Sequence, residues 1–305
     1  MENLKTNKGK DKKIEDTIQK AVSYTVKKII SEKDKYKPLF EGIDYNTFNN
    51  TVKFTDEHED NVDTSLKNNP SFTTQIVDGV NVWSLFKRKQ SPYGYIEKLD
   101  GNPVLNALKG IDGWRFVSNS NRKLFIDRLE RILDNFVSKY KVGLTVVVPS
   151  GGPINGLLAS MVQKKAPEAR IIDDVMRKLS VDEVWSDLSR LDSPFRKVFG
   201  KDKVQWRQTS LEMISAMEKM EKERDGYFTY HLTPRKYRNA ITKTLEKNDS
   251  TCAKYVSLFN GQNILILDDN ISRANTIKNA CEIIKDFEPA SITVLTMFSK
   301  KYPAD

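Results

Sequence analysis

Cysteine and histidine are scarce in this 305-residue chain, which holds only two of each. Cys252 and Cys281 can build neither a disulfide framework nor a thiolate metal site. Such sparse use fits a reducing compartment, so a cytoplasmic location is expected. His58 and His231 are too few for a His-rich metal site. No stretch approaches the length of a membrane span, so no membrane partner is expected. Residues 1–13 are polar and lysine-rich with no apolar run behind them. That is not the pattern of a secretory leader, and the segment reads as a disordered basic tail. Internal repeats and low-complexity blocks are also missing.

Charge is plentiful. Lysine and arginine number 50 against 41 acidic residues, giving a formal net charge of +9. A positive balance favours anionic partners such as nucleotides, polyphosphates or nucleic acid, although a lysine-rich surface also serves solubility alone. Hydrophobic residues make up 38% of the chain, enough for a core in one large or two modest domains.

Periodicity divides the chain into two parts. Over residues 14–141 the pattern is mostly helical or mixed. Ile14, Ile18, Ala21, Val22, Val26, Ile29 and Ile30 mark one amphipathic helix. Val80–Lys87 reads as a strand, and a short helix is expected near Leu105–Leu108 among turn-forming Gly and Pro. A longer helix, capped by Ser120 or Asn121, carries Leu124, Phe125, Leu129, Ile132, Leu133, Phe136 and Val137 on one side. From residue 142 to 305 strands and helices alternate. Leu144–Val148, Ala169–Met176, Ile264–Leu267 and Ser291–Met297 are the strands. Helices are expected over Ile154–Lys165, Thr209–Arg224, Pro234–Lys247 and Asn275–Phe287, and Tyr227–His231 reads as a short strand. Such alternation predicts an α/β domain, a Rossmann-like parallel sheet flanked by helices.

One segment carries most of the chemistry. Ile264–Leu267 is an apolar strand, Asp268 and Asp269 stand at its carboxyl edge, and a polar turn leads into a helix at Asn275. Ligands of open α/β sheets bind beyond the carboxyl ends of the strands. A helix N-terminus attracts phosphate through its unpaired N–H groups and dipole. Ser272 and Thr276 add hydroxyl donors and Arg273 a cation. Two adjacent carboxylates accept hydrogen bonds from paired sugar hydroxyls or hold a metal ion. A strand end whose acids merely solvate a turn is the structural alternative.

This segment resembles the phosphoribosyl pyrophosphate motif of type I phosphoribosyltransferases. In that motif an apolar strand precedes two acids and a Thr-Gly-x-Thr turn. Here the turn reads Arg273-Ala274-Asn275-Thr276, so arginine and alanine stand where the family has threonine and glycine. Alanine is compatible with such a turn if its φ stays negative. A second likeness lies after Leu144–Val148, where Pro149-Ser150-Gly151-Gly152 is similar to the family's pyrophosphate loop.

The resemblance implies a type I phosphoribosyltransferase fold over residues 142–305 and transfer of ribose 5-phosphate from phosphoribosyl pyrophosphate to a nucleobase-like acceptor. Asp268 and Asp269 would be catalytic, holding the ribose hydroxyls and, mostly through substrate and water, Mg²⁺. Ser272, Arg273, Ala274, Asn275 and Thr276 would bind the 5-phosphate. Ser150, Gly151 and Gly152, with Arg177 and Lys178, would receive the pyrophosphate. The mostly helical region 14–141 would form a hood over the acceptor. A second copy of the chain and nucleic acid are further partners left open.

Other features have plainer readings. Arg177-Lys178 equally suits a solvated basic pair. Tyr227–Arg238 mixes aromatics with cations and could cover the site or stack on a base, but core rings and surface cations explain it as well. His231 is an acid/base candidate, though a lone histidine is usually structural. Thr209–Arg224 carries methionines at packing positions. Trp83, Phe86, Tyr93, Tyr95, Trp114 and Phe116 suit a core better than a nucleic-acid face. Besides the transferase, a non-catalytic nucleotide sensor or nucleic-acid binder of the same fold stays open. A response-regulator-like acid site fits less well, because its acids would stand near the start of the sheet.

Overall fold

The computed structural model describes residues 43–46, 48–54, 62–73, 77, 79–89, 102–150, 152–230, 232–271 and 274–301. The expected basic tail, the helix from Ile14, both histidines, Tyr93 and Tyr95 lie outside the described residues.

Among these, a seven-stranded mixed sheet organises the chain. Its strands are β3 (Val62–Asp63), β4 (Ser71–Thr73), β5 (Asn81–Lys89), β7 (Leu144–Val147), β8 (Arg170–Ile172), β11 (Asn263–Ile271) and β12 (Ser291–Lys301). The order β8-β7-β11-β12-β5 is parallel throughout, and β3 and β4 pair antiparallel with β5. Two antiparallel strands, β1 (Ile43–Asn46) and β2 (Thr51–Phe54), form a small separate sheet, with β6 (Arg115–Phe116) parallel to β2.

Seven main helices accompany the sheets: α1 (Asn102–Lys109), α2 (Asn119–Val137), α3 (Ile154–Lys165), α4 (Val181–Ser189), α5 (Pro194–Phe199), α6 (Lys203–Glu223) and α7 (Asn275–Lys285). The chain leaves β7 through α3 to reach β8 on one side. It leaves β11 through α7 to reach β12 on the other. Parallel crossovers share one hand, so departures in opposite directions put the two helices on opposite faces. The cores agree. Leu265 and Leu267 pack with Leu158 and Val162 of α3 and Phe136 of α2, whereas Ile264 and Ile266 pack with Ile277, Ala280 and Ile284 of α7. Strand side chains alternate between faces, so a strand covered on both sides must be apolar at every position. That is why Ile264–Leu267 has no polar residue.

A third core belongs to α4, α5 and α6, with Phe195, Met213, Met217, Met220, Phe228 and Tyr237. This helical unit, spanning 179–244, stands on an antiparallel pair, β9 (Met176–Lys178) and β10 (Leu245–Lys247). Ser180 and Glu183 form a capping box at the start of α4. Trp185 and Trp206 stack at 5.7 Å, and Arg196 lies 3.7 Å above Trp206.

Several expectations change on contact with this fold. The described part of 14–141 is not mostly helical: it holds six strands and two helices, and β5 joins the main sheet beside β12. The sheet therefore does not begin at residue 142. Ala169–Met176 is broken into β8 and β9 at Asp173-Asp174, because Asp174 turns out to meet Lys254 and Tyr255. Pro234–Lys247 is no helix but a turn, a 3₁₀ segment at Arg238–Ala240 and then β10. Tyr227 forms only an isolated bridge with Ser180 in place of a strand. The helix expected to be capped by Ser120 or Asn121 begins at Asn119 and is capped two residues before Ser120, by Ser118, which accepts the Asn121 amide.

Asn121, read from sequence as a cap, is instead buried and ties α2 to β2. Its Oδ1 accepts the Phe54 N–H at 2.8 Å and its Nδ2 donates to the Phe54 carbonyl at 2.6 Å. Asn121→Ala leaves both main-chain groups buried without a partner, at a cost of about 2–3 kcal/mol. A drop of that size in urea-unfolding free energy is the expected outcome.

Candidate functional site

Strand order reverses between β7 and β11, and that reversal opens a crevice at their carboxyl ends. Both sequence-predicted loops flank it. The residues after β7 lead through Ser150 and Gly152 into α3, and the acid pair follows Leu267, the last β11 residue paired with β7, while β11 continues beside β12 to Ile271.

Asp268 is the buried member of the pair, with 5% of its surface exposed. Its Oδ1 accepts the Asp269 N–H at 2.9 Å and Asn155 Nδ2 at 3.3 Å. Burial, reinforced by the neighbouring Asp269 charge, raises its pKa to about 7. Asp269 forms an ion pair with Lys109, the last residue of α1. Lys109 also runs along the loop after β7: a Cβ added at Gly152 would stand 3.4 Å from its Cγ. Gly110, with φ +66°, ends α1 immediately after it.

The basic pair Arg177-Lys178 divides. Adjacent strand residues point to opposite faces. Arg177 is engaged by Glu183 and Glu246, away from the acids, contrary to its expected pyrophosphate role. The Arg177 guanidinium holds Glu183 down to about 2. Lys178 sits close enough to Asp269 and Asp268 for their charges to favour its ammonium. Its burial is the larger influence and lowers its pKa. Ser150 is taken up locally, its hydroxyl accepting the Gly152 N–H at 3.2 Å.

Beyond β11 lies a solvent-open cleft of about 420 Å³, lined by Tyr230, Arg238, Asn270, Ile271, Ala274, Asn275, Thr276 and Ile277. It faces the start of α7, which no side chain caps. Asn275 Nδ2 donates to the carbonyls of Ile241 at 3.0 Å and Arg238 at 3.3 Å, fixing this helix start against the opposite wall. Ala274, Asn275 and Thr276 thus meet at one cleft. Ser272, Arg273 and Gly151 lie outside the described residues. Tyr230 and Arg238 bring the aromatic–cation segment to the same place, while Phe228 and Tyr237 are core.

Ala274 overturns the expectation of a negative φ. It has φ +64° and ψ −7°, the left-handed region where glycine is favoured. The turn therefore keeps a glycine-type backbone despite its alanine.

Sequence reading missed four residues at this edge. Lys109 lay in a region read only as a short helix among turns. Asn155 is a polar residue inside the apolar start of α3, and its burial at 2% exposure had no periodic signal. Asn270 simply follows the acids. Its Oδ1 accepts from Arg88 Nε at 3.3 Å and Nη2 at 3.2 Å. Arg88 is itself buried, in a strand whose KRK ending gave no hint of it.

The acid pair is the place the sequence offered for Mg²⁺. Asp269 already faces the Lys109 ammonium group, and the Asp268 carboxyl is sheltered and favours its proton. Among the described residues no group of three or more His, Cys, Asp or Glu side chains is placed to hold a metal. Cations that close repel a dication, so these donors do not fit a directly bound Mg²⁺.

Two outcomes follow from this geometry. Ala274→Gly removes a left-handed strain of about 1–2 kcal/mol and adds about 0.4–1 kcal/mol of unfolded-chain entropy, so a small net stabilisation in urea unfolding is expected. Asp268 has a folded pKa of about 7 against an ordinary 3.8. The folded state holds that proton more tightly, so its contribution to stability is complete below the ordinary value and is lost as pH rises through the folded one. Wild-type stability, measured against Asp268→Asn, is expected to fall between about pH 4 and pH 7.

No helix among the described residues is long and apolar enough to cross a membrane. No protein-family model and no curated protein sequence matches this chain, so the geometry of the site itself carries the functional reading.

Proposed function

We propose that this chain is a phosphoribosyltransferase-like enzyme that binds a phosphoribosyl group across the β7–β11 crevice and transfers it from phosphoribosyl pyrophosphate to a nitrogen of a nucleobase-like acceptor. One observation carries the reading. The acid pair stands near the carboxyl end of β11, and α7, whose start follows the left-handed Ala274, presents an uncapped helix start to a cleft lined by Arg238. A sugar phosphate needs those two functions about one sugar apart: acceptors for vicinal hydroxyls, and N–H groups with positive charge for phosphate.

The 5-phosphate lies against the first turn of α7, with Thr276 and Arg238 beside it. Ribose hydroxyls donate to Asp269 and Asp268. In the transfer, the bond between the anomeric carbon and the diphosphate oxygen breaks, and the diphosphate leaves with the electron pair. The acceptor nitrogen forms the new bond and releases its proton to solvent. Positive charge develops on the ribose ring as the old bond lengthens, and the Asp269 carboxylate favours it. No covalent nucleophile is required. Position and charge supply the catalysis.

Asp268→Asn combined with Asp269→Asn removes charged acceptors while preserving shape. Calorimetry is expected to show phosphoribosyl pyrophosphate affinity reduced about a hundredfold or more, the worth of two charge-assisted hydrogen bonds. An unchanged affinity in a folded double variant would remove this site. Pyrophosphate release in the presence of a panel of nucleobases tests the transfer itself. Tight binding with no release from any acceptor would reassign the chain as a binding protein.

A further inference from the structure

The acids at the end of β11 meet cations from two separate elements. Lys109 reaches Asp269 from the N-terminal segment, its stem lying over Gly152. Lys178, on β9, lies within range of the charges of Asp269 and Asp268. Beside Asp268, the buried Asn155 Oδ1 has no hydrogen-bond partner, although Asn155 Nδ2 bonds the Val148 carbonyl and Asp268.

We propose that Lys109 is a diphosphate-binding residue of this site and, together with the Lys178 that the resemblance already implies there, takes the place of a divalent cation. The inference rests on the phosphoribosyl reading and deepens it. Without ligand, Lys109 pairs with Asp269. Ribose hydroxyls then take over as partners of Asp269 and Asp268, and the freed ammonium group turns to the diphosphate oxygens. Lys109 suits the exchange: its flexible four-carbon stem crosses the loop after β7, and an ammonium group is a mobile point charge. As the diphosphate leaves with its electron pair, the charge it gains is met by the two lysines. The N-terminal segment, expected only as a hood for the acceptor, thereby supplies part of the phosphate site.

Calorimetry on the full chain separates the parts. Phosphoribosyl pyrophosphate and ribose 5-phosphate are each titrated in EDTA and in Mg²⁺, into wild type, Lys109→Met, Lys178→Met and Lys109→Arg. Wild type is expected to bind phosphoribosyl pyrophosphate in EDTA as well as in Mg²⁺. Each methionine variant is expected to weaken that ligand about tenfold, the worth of one charge-assisted contact. Ribose 5-phosphate, which lacks the diphosphate, keeps its affinity and shows that the variants are folded. Lys109→Arg restores most of the loss. Abolished phosphoribosyl pyrophosphate binding in EDTA overturns the inference, as do methionine variants that weaken both ligands alike or neither. In those cases wild-type ribose 5-phosphate binding still upholds the underlying reading. Failure of wild type to bind either ligand overturns both.

Discussion

Burial of β11 on both faces is the constraint from which the rest of the site follows. Sandwiched between α3 and α7, the strand must be apolar along its covered length, and it is. Polar chemistry is forced to its carboxyl end, where the cover thins. Asp268 stands at that boundary, still buried, and Asp269 one residue further is within reach of Lys109. A buried carboxylate is tolerated only with donors around it. Asp268 has the Asp269 amide and Asn155, and its raised pKa shows that burial outweighs them. The result is a pair of unlike acids side by side: one that holds its proton near neutrality and one held beside an ammonium group.

The same economy appears at β9. A strand of three residues offers one side chain to each face in turn. Arg177 goes to Glu183 and Glu246, linking β9 to the start of α4 and to β10. Lys178 goes to the acid pair. The helical unit over 179–244 is thus fastened to the sheet by one residue of the dipeptide, while the next residue serves the crevice. Any shift of that unit relative to the sheet moves Lys178 and Arg224 with it.

Much of the α/β portion was legible in sequence because its signals are local. Leu144–Val148 and Ile264–Leu267 are unbroken apolar runs, which only buried strands require, and the spacing in Ile154–Lys165 admits only a helix. The acid pair was legible in part: it follows the last residue that β11 pairs with β7, but the strand does not end there and runs on beside β12 to Ile271. What stayed hidden depends on contacts distant in the chain. Arg177 and Lys178 differ only in which face of β9 each occupies, and that depends on pairing with β10 nearly seventy residues on. Lys109 meets Asp269 because β5 enters the main sheet and holds the N-terminal segment against it. The Pro234–Lys247 helix failed because Asn279 of α7 captures the Thr244 and Leu245 amides, pulling that segment out as β10. Tertiary hydrogen bonds there override a propensity worth only tenths of a kcal/mol per residue.

Ala274 shows how such distant contacts hold a local strain. A left-handed alanine costs about 1–2 kcal/mol. It persists because α7 is fixed independently on two sides. Its inner face buries Ile277, Ala280, Cys281 and Ile284, and fully burying one such large aliphatic side chain is worth about 1.5–3 kcal/mol. Its first residue, Asn275, is tied to the carbonyls of Arg238 and Ile241. With the helix anchored by its core and β11 fixed by the sheet, Ala274 is held in the left-handed conformation that opens α7. The turn is what leaves the helix start uncapped and facing the cleft. The wall that completes the cleft, from Tyr230 to Arg238, belongs to the helical unit on β9 and β10, and Tyr230 donates to the same Ile241 carbonyl that Asn275 uses. One main-chain oxygen therefore joins the phosphate-facing turn to the unit that carries Arg238, so the two walls of the cleft cannot move apart without breaking a shared hydrogen bond.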